Sequence, residues 1–407
     1  MTDTLTPRDG KDVEDAVRWA IAEGKALEIV GHGSKRAIGR PAQTDMTLDL
    51  SALSGITLYE PEELVLTARA GTPIAEIEAL VESKGQQLAF EPMDYGPLFG
   101  RPAGRGTIGG ILAANVSGPR RIKAGAARDH FLGFTAVSGR GETFKSGGRV
   151  VKNVTGYDLC KLMAGSWGTL AALTDVTIKT LPRPETEATV MVLGLDAAAA
   201  CKAMAAAMGS SCVVAGAAHL PTDVAVLVSR DLPAGAVTAL RVEGFAPSVE
   251  HRRRTLETLL QPFGGTGALE QATSRSLWRS IRDGLPLVAS DPADHGALWR
   301  ISLPPTEGAR FAAGIPDAVP ARILYDWAGG LLWLRIMERG ETQAVFIRET
   351  ARALGGHATL IEAATALHAV NDVFEPQDKG LAALTKRVKD GFDPKGVFNP
   401  GRMWAGV

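Results

Sequence analysis

Residues 104–118 read GRGTIGGILAANVSG, with Thr107 placed to cap a short helix whose first turn holds Ile108, Gly109 and Gly110. Backbone amides exposed at such a turn suit a pyrophosphate. Small residues there also let a helix press closely on a strand, and both readings stay open. Close packing does not account for Asn115, Ser117 and Gly118, which follow at once. Upstream, residues 28–35 read EIVGHGSK, a strand running into a turn. Without Cβ atoms at Gly31 and Gly33, successive N–H groups of Gly31, His32, Gly33, Ser34 and Lys35 can point into one concavity and hold a phosphate. A plain turn uses the same residues. Downstream, residues 151–169 read VKNVTGYDLCKLMAGSWGT. Asn153, Thr155, Gly156, Tyr157 and Asp158, then Gly165, Ser166, Gly168 and Thr169, alternate hydrogen-bonding side chains with glycines as an extended polar ligand requires. A self-satisfied polar loop is the competing reading. Two common nucleotide sites are disfavoured: Pro41 discourages a helix after the GHG turn, so no Rossmann GxGxxG opens here, and no GxxxxGK[ST] is present.

Around these segments the chain reads as α+β. Val13, Ala16, Val17, Ala20 and Ile21 have helical spacing ahead of Gly24, and 26–30, 46–50 and 63–69 are rich in strand formers. Thr72 and Pro73 are expected to cap and begin a second helix carrying Ile74, Ile77, Leu80 and Val81. Strand-like runs resume at 131–137 and 170–179. After LPRPETE at 181–187 the character changes: helices near 195–207, within 248–261 and near 341–354, and strands at 223–229, 297–302, 321–326 and 331–336. The alternation predicts a second α+β domain, an antiparallel sheet with helices on one face.

With 407 residues, two to three domains are expected. The 44 Lys plus Arg against 45 Asp plus Glu leave a net charge of −1, which argues against a nucleic-acid binder working through a positive field. The 46 glycines exceed an ordinary share and point to tight turns or close backbone approach to a ligand. No apolar stretch reaches membrane-spanning length and the N-terminus lacks a secretory pattern, so a cytoplasmic protein is expected, peripheral at the inner face of the cell membrane only through partners. Three cysteines without CxxC spacing and seven scattered histidines predict no disulfide framework and no metal site.

Taken together, the three segments resemble the flavoproteins of the vanillyl-alcohol oxidase and para-cresol methylhydroxylase (PCMH) type. In that family GxGS after a strand is the pyrophosphate loop, TIGG-x4-N-x-SG runs along pyrophosphate and flavin, and KNVTGYDL with GS-x-GTL lines the flavin and adenine ends. The resemblance covers about residues 10–182 and resumes at FDPKGVFNPG, 392–401, whose counterpart returns to the flavin domain with its asparagine, here Asn399, near the isoalloxazine. It implies an α+β fold: a two-subdomain PCMH-type FAD-binding domain over 1–182, a smaller α+β domain with an antiparallel sheet over 183–376, and a returning segment over 377–407. Pro92, Arg128 and Asp129 join the implied FAD contacts. His32 lies between the glycines, whereas histidine-linked members carry theirs after a glycine pair, so the resemblance implies non-covalent FAD.

Within the family, the ordered set GHGSK, RIKAGAARDHFLGFTAV and GGRVVKNVTGYDLCKLMAGSWGTL, with the NPGRM ending, is similar to the flavin-binding subunits of bacterial 2-hydroxy-acid oxidase complexes. That likeness implies oxidation of a 2-hydroxy acid, glycolate to glyoxylate, with a catalytic flavoprotein subunit and an iron-sulfur subunit as partners. Trp167 and Ala171 depart from the GS-E-GTLG of catalytic relatives, and in place of their GDGNLH segment stands GGHATL, 355–360. A self-sufficient flavin oxidase and a non-catalytic assembly subunit therefore remain the alternatives. His357, Asn399 and Tyr157 are the candidates for contact with the reacting groups. His130 either reaches the cofactor or completes a buried turn, and Arg252, Arg253 and Arg254 form either a solvated helix face or a docking surface.

Overall fold

The computed structural model describes residues 3–41, 43–149, 156–229, 232–288, 296–338 and 342–407. The first helix, α1 (Gly10–Ala22), is capped by Asp9, whose carboxylate accepts the N–H groups of Lys11 and Asp12, and it stops at Gly24 with φ +63°. Its Val13, Val17 and Ala20 are buried against a small parallel sheet of β1 (Asp3–Leu5), β2 (Leu27–Val30) and β3 (Met46–Asp49), in the order β1-β3-β2. Next comes an antiparallel sheet, order β4-β5-β9-β7-β8: β4 (Ile56–Glu60), β5 (Val65–Arg69), β7 (Phe131–Ser138), β8 (Thr143–Gly147) and β9 (Ala171–Lys179). A short ladder pairs β6 (Gln86–Gln87) with β10 (Leu181–Pro182).

Helix α2 (Ile74–Ser83) begins one residue later than expected, and Thr72 does not cap it: the hydroxyl accepts from Gly55 N–H and donates to Arg69 O, tying the preceding turn together. Helix α3 (Ile108–Ala113) is capped by Thr107, whose Oγ1 accepts the Gly110 N–H at 3.3 Å. The short α4 (Arg121–Ala124), α5 (Ala127–His130) and α6 (Leu159–Met163) follow. His130 is buried in a turn with Nε2 2.9 Å from Ala124 O.

The second half is built on an eight-stranded antiparallel sheet, order β14-β11-β13-β12-β16-β17-β15-β18: β11 (Thr186–Leu193), β12 (Gly216–Leu220), β13 (Val237–Gly244), β14 (Thr266–Leu269), β15 (Leu298–Ser302), β16 (Ala321–Asp326), β17 (Leu331–Ile336) and β18 (His357–Glu362). The segment expected as a strand at 223–229 is helix α8 (Thr222–Val228), begun by Pro221, whose carbonyl accepts from Val224 and Ala225. Helices also cover both faces rather than one. Helices α7 (Ala197–Met208) and α9 (Ala246–Leu260) pack with Val190 and Val192, and α11 (Gly308–Ala313) and α12 (Ala344–Ala353) extend the same side. On the opposite face lie α8 and α10 (Gln271–Arg282), where the Trp278 indole donates to Thr189 Oγ1 at 2.8 Å. That face merges with the first half: Ile111, Leu112 and Val176 share one core with Leu220, Trp278 and Leu324. Arg252 is spent on Cys212 O and Glu243 O, while Arg253 and Arg254 pair with Glu250 on their own helix.

After α13 (Thr365–Val370), α14 (Lys379–Phe392) leads the chain back to the first sheet. Leu27 N–H donates to Val397 O at 2.7 Å and Asn399 N–H to Leu27 O at 2.9 Å, so residues 397–399 run as a further edge beside β2. No helix among the described residues is long and apolar enough to cross a membrane.

Candidate functional site

Between the small parallel sheet, α3 and the start of β9 runs an open slot. The turn after β2 supplies Gly31, His32, Gly33, Ser34 and Lys35 to its wall; α3 supplies Thr107, Gly109, Gly110, Ala113 and Ala114; the turn before β9 supplies Trp167 and Gly168; and Arg402 arrives from the C-terminal segment. The N–H groups of His32 to Lys35 donate to no group among the described residues, and Gly33 sits at φ +70°. Four successive free amides in such a turn form an anion-binding concavity. Three cationic or imidazole groups close on it. Lys35 is buried with Nζ 3.2 Å from Ser34 Oγ; burial pushes its ammonium down to about 8, with Asp94 opposing the fall and Arg402 adding to it. Arg402 donates Nη2 to Lys35 O and Ile38 O, while its Nε and the Nδ1 of His32 are buried without a hydrogen-bond partner. Orphaned polar atoms beside free amides fit a bound diphosphate.

The helix turn works differently from the expectation of a second amide cradle. Ile108 N–H donates to Thr72 O, Gly109 N–H to Ala70 O and Gly110 N–H to Thr107 Oγ1, so all three amides are already spent. The glycines there serve close approach. A Cβ on Gly109 would lie 2.7 Å from Ala70 Cβ, and one on Gly31 2.6 Å from Thr107 Oγ1. Ile108 itself is buried in the core. The slot's remaining surface is apolar, from Ile29, Leu50, Ala70, Ala171 and Leu173, as a flat aromatic system would need.

Other expected contacts are placed beside the slot rather than in it. Pro92 lines a small recess that shares Ser34 and Lys35 with the slot. Asn115 Oδ1 accepts from Arg128 N–H, Ser117 Oγ from Ala127 N–H, and Asp129 caps Ala126, so these four residues knit one local turn. A Cβ added to Gly118 would lie 2.2 Å from Glu91 O, so only glycine fits there, and the Gly118 carbonyl accepts from Trp327 Nε1 at 3.0 Å. Ser166 Oγ donates to Met163 O and Thr169 Oγ1 to Ser166 O, shaping the turn that Gly165 and Gly168 open with φ +85° and +71°. Asp158 caps α6, and Tyr157, next to Gly156, is 90% exposed, away from the slot. Asn153 and Thr155 lie outside the described residues.

Asn399 is a clamp in the wall, not a surface of the slot. It is 1% exposed; its Oδ1 accepts Ile29 N–H at 3.0 Å, and its Nδ2 donates to Trp167 O and Gly168 O. Its φ of +42° suits asparagine better than most residues. His357 begins β18, exposed; local desolvation and then the Arg300 guanidinium lower its pKa. The contributions of Trp167 and Arg402 escaped sequence reasoning. The only cue for either was position: one inside GSWGT, the other directly after NPG.

Residues 4–147 match the FAD binding domain family and residues 371–403 the C-terminal domain of FAD linked oxidases. Glycolate oxidase subunit GlcE of Escherichia coli K12 is 35% identical over 96% of this chain and 96% of its own length. Glycolate oxidase subunit GlcD of Bacillus subtilis 168 is 27% identical, covering 98% of this chain and 88% of its own. Among solved structures, 4-ethylphenol oxidase from Gulosibacter chungangensis superposes with a TM-score of 0.72 at 14% identity, over 99% of this chain and 89% of that one. Para-cresol methylhydroxylase with substrate bound gives 0.71 at 12% identity, over 98% and 88%. These structural likenesses establish the PCMH-type fold.

Proposed function

The chain belongs to the family of the glycolate oxidase subunit GlcE, FAD-linked oxidoreductases, and on that premise we propose that it is the FAD-binding subunit of a complex oxidising a 2-hydroxy acid, glycolate to glyoxylate. The observation that carries the reading is the row of free amides from His32 to Lys35 closed over by Lys35 and Arg402, a cradle for two phosphates at one end of an apolar slot. We assign residues 1–182 and 377–407 to FAD binding and 183–376 to the substrate side or to subunit contact. Bound FAD supplies two-electron oxidation of an alcohol carbon and one-electron transfer onward. The chain's own residues hold it without a covalent link: Gly31 to Lys35 and Arg402 take the diphosphate, Gly109, Gly110, Ala113, Ala114, Trp167 and Gly168 flank the slot, and Asn399 keeps the Trp167–Gly168 turn against β2. The partners are a catalytic flavoprotein subunit and an iron-sulfur subunit, which hold the complex at the inner face of the membrane.

Purifying the chain alone tests this. Stoichiometric, dissociable FAD whose spectrum glycolate leaves unbleached is the expected result. Bleaching by glycolate would replace the reading with a self-sufficient oxidase, and a flavin-free chain that still assembles with its partners would make it a non-catalytic assembly subunit.

A further inference from the structure

Trp327 stands where the two halves meet, with its indole donating to Gly118 O at 3.0 Å. Its backbone and that of Ala328 are held at φ +50° and +58°, ahead of Gly329 at +93°, a run of left-handed residues that fixes the ring. Two arginines stack on it. Arg121, from α4 in the first half, has Cζ 4.5 Å from the ring centroid, and Arg300, from β15 in the second, has Cζ 5.1 Å from it. Each is half-buried, and neither makes an ion pair or side-chain hydrogen bond among the described residues. Stacked guanidiniums are satisfied through their faces only. Their in-plane N–H groups remain available as forked donors.

Two carboxylates act on the pair from a distance, Asp129 on Arg121 and Asp326 on Arg300, and neither forms an ion pair with it. Asp326 is the nearest carboxylate in sequence, but its Oδ1 accepts Trp327 N–H at 2.7 Å, and burial pushes its carboxyl up to about 7, so it is far from fully charged near neutrality. Asp129 is occupied by Ala126 N–H. Arg300 in turn disfavours the charged form of Arg121 and of His357. Tyr95, buried beside Arg300 and edge-on to Trp333, has a hydroxyl with no hydrogen-bond partner among the described residues. Two cations held on one ring, with a phenol and a histidine alongside and no ion pair to either among the described residues, are relieved by an anion from outside.

We propose that Arg121 and Arg300, stacked on Trp327 at the seam of the two halves, form the carboxylate-binding subsite of this chain, with Tyr95 as a further donor. That the carboxylate belongs to a 2-hydroxy acid rests on the function proposed above; that the subsite takes a small carboxylate rests on the arginine pair alone. Planar guanidinium edges match a carboxylate bidentately, which an ammonium would not do.

The test is titration of the FAD-loaded chain by calorimetry and tryptophan fluorescence with glycolate, with glycolamide, its uncharged isostere, and with inorganic phosphate. Glycolate is expected to bind and to change the tryptophan emission, glycolamide to bind at least tenfold more weakly, and phosphate not to compete. Arg121→Gln and Arg300→Gln should each weaken glycolate at least tenfold with FAD content and circular dichroism unchanged, and Arg300→Lys should fall between. Equal binding of glycolamide, unchanged binding in both Gln variants, or phosphate binding more tightly than glycolate would overturn the assignment. The wild-type comparison of glycolate with glycolamide needs no variant to fold. A chain that holds FAD but no glycolate sinks the subsite alone; one that binds glycolate without ever holding FAD sinks the proposed function and leaves the subsite standing.

Discussion

Lys35 pays for its position with a depressed ammonium, and its place in the proposed diphosphate cradle predicts that cofactor affinity depends on pH in a defined direction. Burial holds its pKa near 8, so the group is charged below that value and neutral above it. A diphosphate favours the charged form, so above about 8 a proton must be taken up for binding. FAD affinity is therefore expected to be flat below pH 8 and to fall by up to about tenfold per unit above it. In Lys35→Met the affinity should be lower and the fall absent. Isothermal titration of apoprotein between pH 6.5 and 9.5 reads both, and a slope unchanged by Lys35→Met would remove Lys35 from the cradle. Asn399 makes a different demand. In Asn399→Ala the buried Ile29 N–H loses its acceptor and the Trp167–Gly168 turn its donor, a cost of about 1–3 kcal/mol for the orphaned group. Thermal unfolding should show that loss, and a Tm equal to that of the parent would return Asn399 to an ordinary turn.

At the scale of elements, what was legible in the sequence was what is local. The strand and turn at 28–35 and the Thr107 cap follow from neighbours within a few residues, and both are present. The strand β12 escaped because its glycine and two alanines carry little strand preference and are kept in place by partners across the sheet. The run at 223–229 misled because a short, continuous apolar stretch suits a buried strand and a buried helix equally. Arg402 was illegible for a related reason: it reaches Lys35 across the whole chain. The return that brings it there depends on α14. Lys389, 3% exposed, donates to Asp393, Thr169 O and Phe398 O, and Asp393 accepts from Val397 and Phe398 N–H. Replacing Lys389 by Met leaves the Asp393 carboxylate buried and unpaired, so a loss of about 3–5 kcal/mol is expected, with weakened FAD retention as Arg402 comes loose. Denaturant unfolding together with FAD content checks it; retention at parental affinity despite the stability loss would separate the tail from the cradle.

For the molecule as a whole, the seam between the halves is held by a buried charge as well as by the shared core. Glu91, in the first half, accepts both Nη groups of Arg241 from β13 at 3.0 and 2.9 Å and an Nη of Arg120 at 2.9 Å, while Arg241 lies over the Trp278 ring at 4.6 Å. Arg120 also reaches Glu243 at 2.9 Å. Burial alone would raise the Glu91 carboxyl, but Arg241 and then Arg120 outweigh it and hold it down at about 2, against 4.5 for the free group. Because the folded value is the lower one, the stabilisation is complete above pH 4.5 and is lost as the pH falls through about 2, on the order of 3 kcal/mol in total. Tm should therefore decline steadily from pH 4.5 downward. In Glu91→Gln the two arginines lose their shared anion at every pH, so the variant should be destabilised at pH 7 and should lack this part of the acid slope. Differential scanning calorimetry of both proteins between pH 2.5 and 7 decides the matter: an unaltered Tm at pH 7, or an acid slope as steep in Glu91→Gln as in the parent, would mean that the apolar core alone joins the halves and that Glu91 merely fits between them.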